Sequence, residues 1–295
     1  MIIPYMKKRI ESAFNLYCDD FCRNVTKSIN IHQDNPDSRS LFKDAYSLFV
    51  LLESLKNSDY YFDPTKEILL QEALESGRKD IAEETARQLS VRDLSDSDKL
   101  IKKGILKQRF TPYLKELYSD ALMLLNSFYS NNYRSCYISL RCMLEDLYRH
   151  LYYKDHVQEY LTITQKAHSE HDLELNPKFF RDYLKQMSCY KILVKLEKYD
   201  PFSENDRLYK ETSAFLHGST IDKLSGFESN SSLSFNNDSA ENVIKNSKDV
   251  ITLSVIFLIS AHKGYFLRFN DYTKSLVFEI FDKDVKYNFR KCLNV

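Results

Sequence analysis

Apolar residues return every three or four positions along most of this chain, and the stretch the others are arranged around runs from Tyr133 to Tyr153. At 100° per residue, Tyr133, Cys136, Tyr137, Leu140, Met143, Leu144, Leu147, Tyr148 and Leu151 form one continuous stripe, which predicts a core helix. The same projection gathers Arg134, Arg141, Glu145 and Tyr152 on one flank, where a packed helix meets water. Just upstream, from Thr111, the positions Leu114, Leu117, Tyr118, Ala121, Leu122 and Leu125 predict another helix. The short SNN break hands it over to the first, so the two should lie antiparallel.

The N-terminal part repeats the pattern more loosely. Ile10, Phe14, Tyr17, Cys18 and Phe21 predict one helix, and the polar run INIHQDNPDSRS then breaks the period. A second helix is expected from about Leu41 to Leu55, with Ala45, Leu48, Phe49 and Leu52 inward. A third is expected from Pro64 or Thr65 to Leu89, its later half mostly charged. The polar run VRDLSDSDK marks a boundary, giving an N-terminal helical region over 1–104 and a helical bundle domain over 105–295.

Downstream, Pro177 opens a predicted helix through Phe180, Tyr183, Leu184, Met187 and Tyr190 to about Leu196. Asn205 to His217 is the next, and Gly218 supplies the left-handed position that ends a helix. Within it Tyr209, Ser213 and His217 stand four apart and make one polar ridge. The Ser- and Asn-rich stretch from Ser219 to Asn242 has no helical period and reads as a mobile loop over the His217 end. From Val243 to Phe266 the chain is apolar on nearly every side, which suits a buried central helix. The tail SLVFEIFDKDVKYNFRKCL reads equally as helix throughout or as a short strand followed by helix.

Composition agrees with a helical reading. Only five glycines and six prolines occur in 295 residues, well under the roughly 7% and 5% of average proteins. The whole chain is all-α on this reading. Lysines and arginines balance aspartates and glutamates at a net charge of zero, so attraction to RNA would need a local basic patch. The six cysteines include no C-x-x-C pair, and no histidines stand at zinc-finger spacing, so neither a metal site nor a disulfide framework is expected. His168 and His171 lie in a polar segment without a third fixed ligand. No glycine-rich phosphate loop, G-x-S-x-G or H-E-x-x-H motif occurs, and no cofactor is implied. The N-terminus lacks a signal-like apolar run and no segment is long enough to span a bilayer, so a cytoplasmic protein is expected.

Two arrangements carry candidate chemistry. In the first, Arg141 and Glu145 form an i,i+4 pair, which on a plain helix flank would be a salt bridge worth about 0.3 kcal/mol. Beside the ridge of Tyr209, Ser213 and His217, the same arginine is oriented for a phosphate, with Arg134 as a further contact. Arg141, Glu145 and His217 are then the catalytic candidates, the histidine moving a proton and the arginine stabilising a pentavalent phosphate. Arg134, Tyr209 and Ser213 are the substrate-binding candidates. In the second arrangement, Arg149, His150 and His156 form a weaker set, because Arg149 projects away from the apolar stripe.

These residues resemble a known group. The run Ser139, Leu140, Arg141, Glu145, the later Tyr209, Ser213, His217, Gly218, and a final apolar helix ending in Phe266 and Phe269 are similar to the HEPN-like helical proteins of prokaryotic toxin and phage-defence loci. The resemblance covers about Thr111 to Asn288. It implies a four- to five-helix bundle, often a homodimer, acting as a metal-independent ribonuclease in abortive infection, with RNA as substrate and an antitoxin or other partner protein from the same locus. The family's arginine and histidine lie on one segment, as Arg149 and His156 do, whereas Arg141 and His217 come from two helices. A non-catalytic adaptor or sensor that binds a partner protein therefore stays open beside the enzyme.

Overall fold

The computed structural model describes residues 22–23, 25–57, 112–156, 177–186, 193, 196, 199–216 and 235–293. Among them every regular element is a helix and no strand occurs. In chain order the helices are α1 (Pro36–Asn57), α2 (Pro112–Tyr129), α3 (Tyr133–Asp155), α4 (Pro177–Gln186), α5 (Pro201–Leu216), α6 (Asn237–Ala261), α7 (Lys263–Phe266), α8 (Asp271–Phe278) and α9 (Lys283–Leu293). Residues 25–34 are also helical. None of the described helices is long and apolar enough to cross a membrane.

The α3 helix is the hub, packed against α2, α4, α5 and α6. Its predicted stripe is buried from Cys136 to Leu151, with Tyr133 partly buried against the core. The connection from α2 is the three residues Ser130, Asn131 and Asn132. Asn131 takes the left-handed conformation at φ 56°, the N–H of Asn132 reaches Ser127 O at 2.8 Å and that of Asn131 reaches Phe128 O at 2.9 Å. Those are the two bonds of a Schellman cap, and asparagine is the residue after glycine best able to occupy its left-handed position. Asn132 then accepts the Ser135 N–H and caps α3. So tight a turn sends the helices back antiparallel, and Tyr113 near the start of α2 stacks on Tyr153 near the end of α3, ring centres 5.7 Å apart.

Cross-helix contacts fix the other directions. Tyr137 meets Phe215 while Arg141 meets Tyr209, so α5 runs antiparallel to α3. Tyr137 meets Asn246 and His150 meets His262, so α6 runs parallel to α3. In α6 every residue from Val250 to Ser260 is buried, and the hydroxyls of Ser254 and Ser260 donate to the carbonyls four residues back. That local satisfaction is what lets serines sit in an apolar helix. The far side of α6 is covered by α1, which also packs on α2 and α8. Leu41, Ala45, Leu48, Leu51, Leu52 and Leu55 of α1 therefore join the same core as α3 and α6. The expected boundary near residue 104 falls outside the described residues.

Several local expectations need correction. The run INIHQD is helical through Asp34, and the break is confined to Asn35, whose side chain accepts the N–H groups of Asp37 and Ser38 and so caps α1 ahead of Pro36. In α2 the inward residues include Leu124 and Phe128, whereas Leu122 is exposed. The α5 helix starts at Pro201 rather than Asn205, because the Asp200 carboxylate accepts the Phe202 N–H at 3.0 Å and caps it. Residues 237–242, expected in a loop, form the first turns of α6, capped by Asn236. Phe235 packs edge-on against His32, while the rest of that stretch, Phe227 included, lies outside the described residues. The tail is helical as α8 and α9, its Phe266, Phe278, Phe281 and Phe289 rings meeting edge to face.

Candidate functional site

Arg141 sits in the middle of α3 on the seam with α5, its side chain 14% exposed. Its Nε donates to Glu145 Oε1 at 2.7 Å one turn on. Across the seam Nη1 donates to Ser213 Oγ and, at 3.4 Å, to the Tyr209 carbonyl. The Ser213 hydroxyl in turn donates to that same carbonyl at 2.6 Å, which leaves its oxygen free to accept from the arginine. The guanidinium carbon lies 3.1 Å from the centre of the Tyr209 ring. A planar cation is thus held in its plane by a carboxylate and a hydroxyl and backed by an aromatic face, the arrangement in which arginine loses least rotamer freedom on binding an anion. Among the described residues, Nη2 has no hydrogen-bond acceptor.

Four candidates therefore come together: Arg141, Glu145, Tyr209 and Ser213. His217 lies outside the described residues. Arg134 is exposed two turns before Arg141. Tyr152, expected on the same flank, is instead buried, stacked on His156 at 4.0 Å and edge-on to Tyr183 and Phe179.

The second set is dispersed. Arg149 bonds Asp146 at 2.8 Å and lies 3.5 Å from Glu145. His150, one position on and so about 100° around the helix, turns into the core and meets His262 at 2.9 Å. His156 follows the last turn of α3, its Nδ1 3.0 Å from the Tyr152 carbonyl.

Next to Arg149 is an acidic pair that the sequence pattern did not reveal, Asp146 buried and Asp120 half-buried. Burial, and then the neighbouring Asp146, push the Asp120 carboxyl up to about 7. Two neighbouring carboxylates cannot both ionise cheaply, so Asp120 is pushed toward its protonated form while Asp146 has Arg149 as its partner. Cys142 feels the same surroundings, burial first and then Asp120, Glu145 and Asp146, and its thiol rises to about 11. Burial pushes Cys136 up as well. Neither is a nucleophile at neutral pH. Among the described residues no three His, Cys, Asp or Glu side chains are grouped to hold a metal ion.

A second node escaped the sequence reading. His32, 1% exposed, has Nε2 2.9 Å from Asn131 Oδ1 and Nδ1 2.9 Å from Ser38 Oγ. The amide oxygen can only accept, so the proton is assigned to Nε2 and the Ser38 hydroxyl donates to Nδ1. Comparison with protein-family models, curated proteins and solved structures finds no significant match to this chain.

Proposed function

We propose that this protein is a metal-independent RNA-cleaving effector of the HEPN-like kind, a toxin or anti-phage defence protein. The observation that supports the reading is the Arg141 guanidinium, fixed by Glu145 and Ser213 and backed by Tyr209, with Nη2 left to take a phosphate oxygen. In this reading the RNA 2′-hydroxyl gives its proton to solvent water, its oxygen attacks the adjacent phosphorus and the 5′-oxygen leaves. Arg141 stabilises the extra negative charge on the pentavalent phosphate. His217, four positions after Ser213 in the chain, gives the leaving oxygen its proton. The products are a 2′,3′-cyclic phosphate and a 5′-hydroxyl. Incubating the purified chain with RNA in the presence of a chelator tests it: those ends should appear, and Arg141→Ala or His217→Ala should abolish them while circular dichroism stays unchanged. Intact RNA with the wild-type chain under all conditions would sink the proposal.

A second reading, a non-catalytic adaptor or sensor subunit, is favoured by a different aspect of the same geometry. Nε and Nη1 of Arg141 are committed to contacts within and between helices, as they would be in a clamp that sets the register of α3 against α5. An adaptor would show no nuclease activity and would be recovered in a stable complex with a protein from its own locus. Cytoplasmic location and a homodimeric state belong to the first reading and are open to the same preparations by fractionation and light scattering.

A further inference from the structure

The C-terminal helix α9 has two faces with different commitments. Phe289 and Leu293 are buried, and the Phe289 ring packs 5.4 Å from Phe281 and 6.4 Å from Phe278. The outer face carries Lys283, Tyr287 and Lys291, with Lys286 and Arg290 on the flank between it and the buried residues. Their spacing of 0, 3, 4, 7 and 8 puts all five on one stripe, about 12 Å long at 1.5 Å per residue. Tyr287 is 69% exposed in the middle of it, among the most exposed large aromatic residues described.

The nearby acids offset this stripe only in part: Glu279 feels Lys286, but its closer partner is Lys43. Asp282 is paired with Lys248 at 3.0 Å and Glu279 with Lys43 at 2.6 Å; Asp284 borders the stripe on its Tyr287 side, one carboxylate beside four cations. Lys283, Lys286 and Lys291 form no ion pair among the described residues. Arg290 lays its guanidinium over the Phe278 ring at 4.7 Å. The net charge of the whole chain is zero, so this is a local concentration of positive charge.

We infer that the stripe of Lys283, Lys286, Tyr287, Arg290 and Lys291 on α9 is a binding surface for single-stranded RNA, with Tyr287 stacking on a base and the cations taking the flanking phosphates. An exposed ring among cations at helical neighbour distance is the combination that holds single strands without reading sequence. An acidic membrane is the competing partner for a basic amphipathic helix, but that role needs a free apolar face. Here the apolar face is spent on Phe278 and Phe281. The preference for RNA over DNA rests on the proposed function; the surface itself does not.

The test is fluorescence anisotropy of labelled oligouridine with the full chain, titrated at several salt concentrations. Lys283→Ala/Lys286→Ala/Lys291→Ala should weaken binding at least about tenfold and flatten the slope of log K against log salt by about 2, from roughly 0.7 per phosphate contact. Tyr287→Ala should weaken it by about tenfold and Tyr287→Phe should leave it intact, because the ring and not the hydroxyl is used. Cleavage of the same RNA is read in parallel, which separates this surface from the proposed cleavage site: binding without cleavage would fail that proposal and keep this one. Undiminished binding by the triple variant or by Tyr287→Ala overturns the inference. So does binding to phosphatidylserine vesicles in place of RNA, and equal affinity for oligothymidine overturns the RNA preference.

Discussion

The imidazoles of His150 and His262 meet Nε2 to Nε2 at 2.9 Å between α3 and the end of α6. One nitrogen must donate and the other accept, so at least one ring is neutral, and burial favours the neutral form of both. Burial, with Lys154 adding to it, drives His150 down to about 3, and burial followed by His150 lowers His262 as well. Unfolded histidine titrates near 6.5. Below that pH the unfolded chain binds protons the folded chain refuses, so the pair's contribution is whole above about 6.5 and drains away as the medium is acidified. Each group gives a slope of about 1.4 kcal/mol per pH unit and the two together about 2.7. His150→Leu/His262→Leu removes both, so its stability relative to the wild type should rise between pH 6.5 and pH 4 in urea titrations. His150→Ala alone should be destabilised by about 2–4 kcal/mol at pH 7, since it leaves a cavity and an orphaned His262 nitrogen.

Asp120 should respond with the opposite sign. Its folded carboxyl is raised to about 7 by burial and by Asp146, so between about 4 and 7 the folded chain holds a proton the unfolded chain has lost. Acidification therefore favours folding at this site and alkalinisation opposes it. Burial raises Asp44 to about 6, which works in the same direction. Asp120→Asn should exceed the wild type in stability at pH 8, by about 1 kcal/mol once the carboxyl's partial exposure is discounted, and lose that margin as the pH falls to about 4. A margin that does not change with pH in paired melts would show that the folded Asp120 carboxyl holds no extra proton.

Asn131 joins a backbone requirement to a side-chain one. Its φ of 56° favours asparagine or glycine, and its Oδ1 accepts from His32 Nε2 and, at 3.2 Å, from the Tyr133 hydroxyl. Asn131→Gly should keep the turn and lose the acceptor, at a cost of about 1–2 kcal/mol. Asn131→Ala loses both and should cost about 1 kcal/mol more. Equal urea midpoints for the two variants would mean that the left-handed position carries no strain.

What was readable in the chain follows from how far each pattern's cause reaches. The stripe from Cys136 to Leu151 and the apolar run through α6 are set by helical period alone, and the helices bury those positions. The meeting of Arg141 with Tyr209 and Ser213 was legible because both helices carry a polar ridge beside an apolar one. His32, Asn131 and His262 were not, since a histidine is buried only when distant residues supply its partners, here 99 and 112 positions away. The first turns of α6 look like loop because their outer face is Asn, Asp, Glu and Lys. Their helicity comes from the Asn236 cap and from the buried Ala240 and Val243. The Asp120 and Asp146 pair escaped for a related reason: each acid is unremarkable on its own helix and becomes strained only across the α2–α3 seam.

The contact between Arg141 and Ser213 makes the sharpest prediction about the seam of α3 and α5. Charged hydrogen bonds are worth about 1.5–3 kcal/mol when buried, and partial exposure brings this one to the lower end. Ser213→Ala and Arg141→Ala should each destabilise, and the double variant should cost less than their sum by about 1 kcal/mol in a double-mutant cycle. Arg141→Lys should behave almost as alanine does, because an ammonium cannot bond Glu145 and Ser213 together while lying flat on Tyr209. Tyr209→Phe should be neutral and Tyr209→Leu should cost about 1 kcal/mol, the worth of the ring face to the cation. If urea unfolding finds Arg141→Ala and Ser213→Ala strictly additive, the two residues do not share a bond in solution. The guanidinium would then lack the orientation that either reading of its function requires.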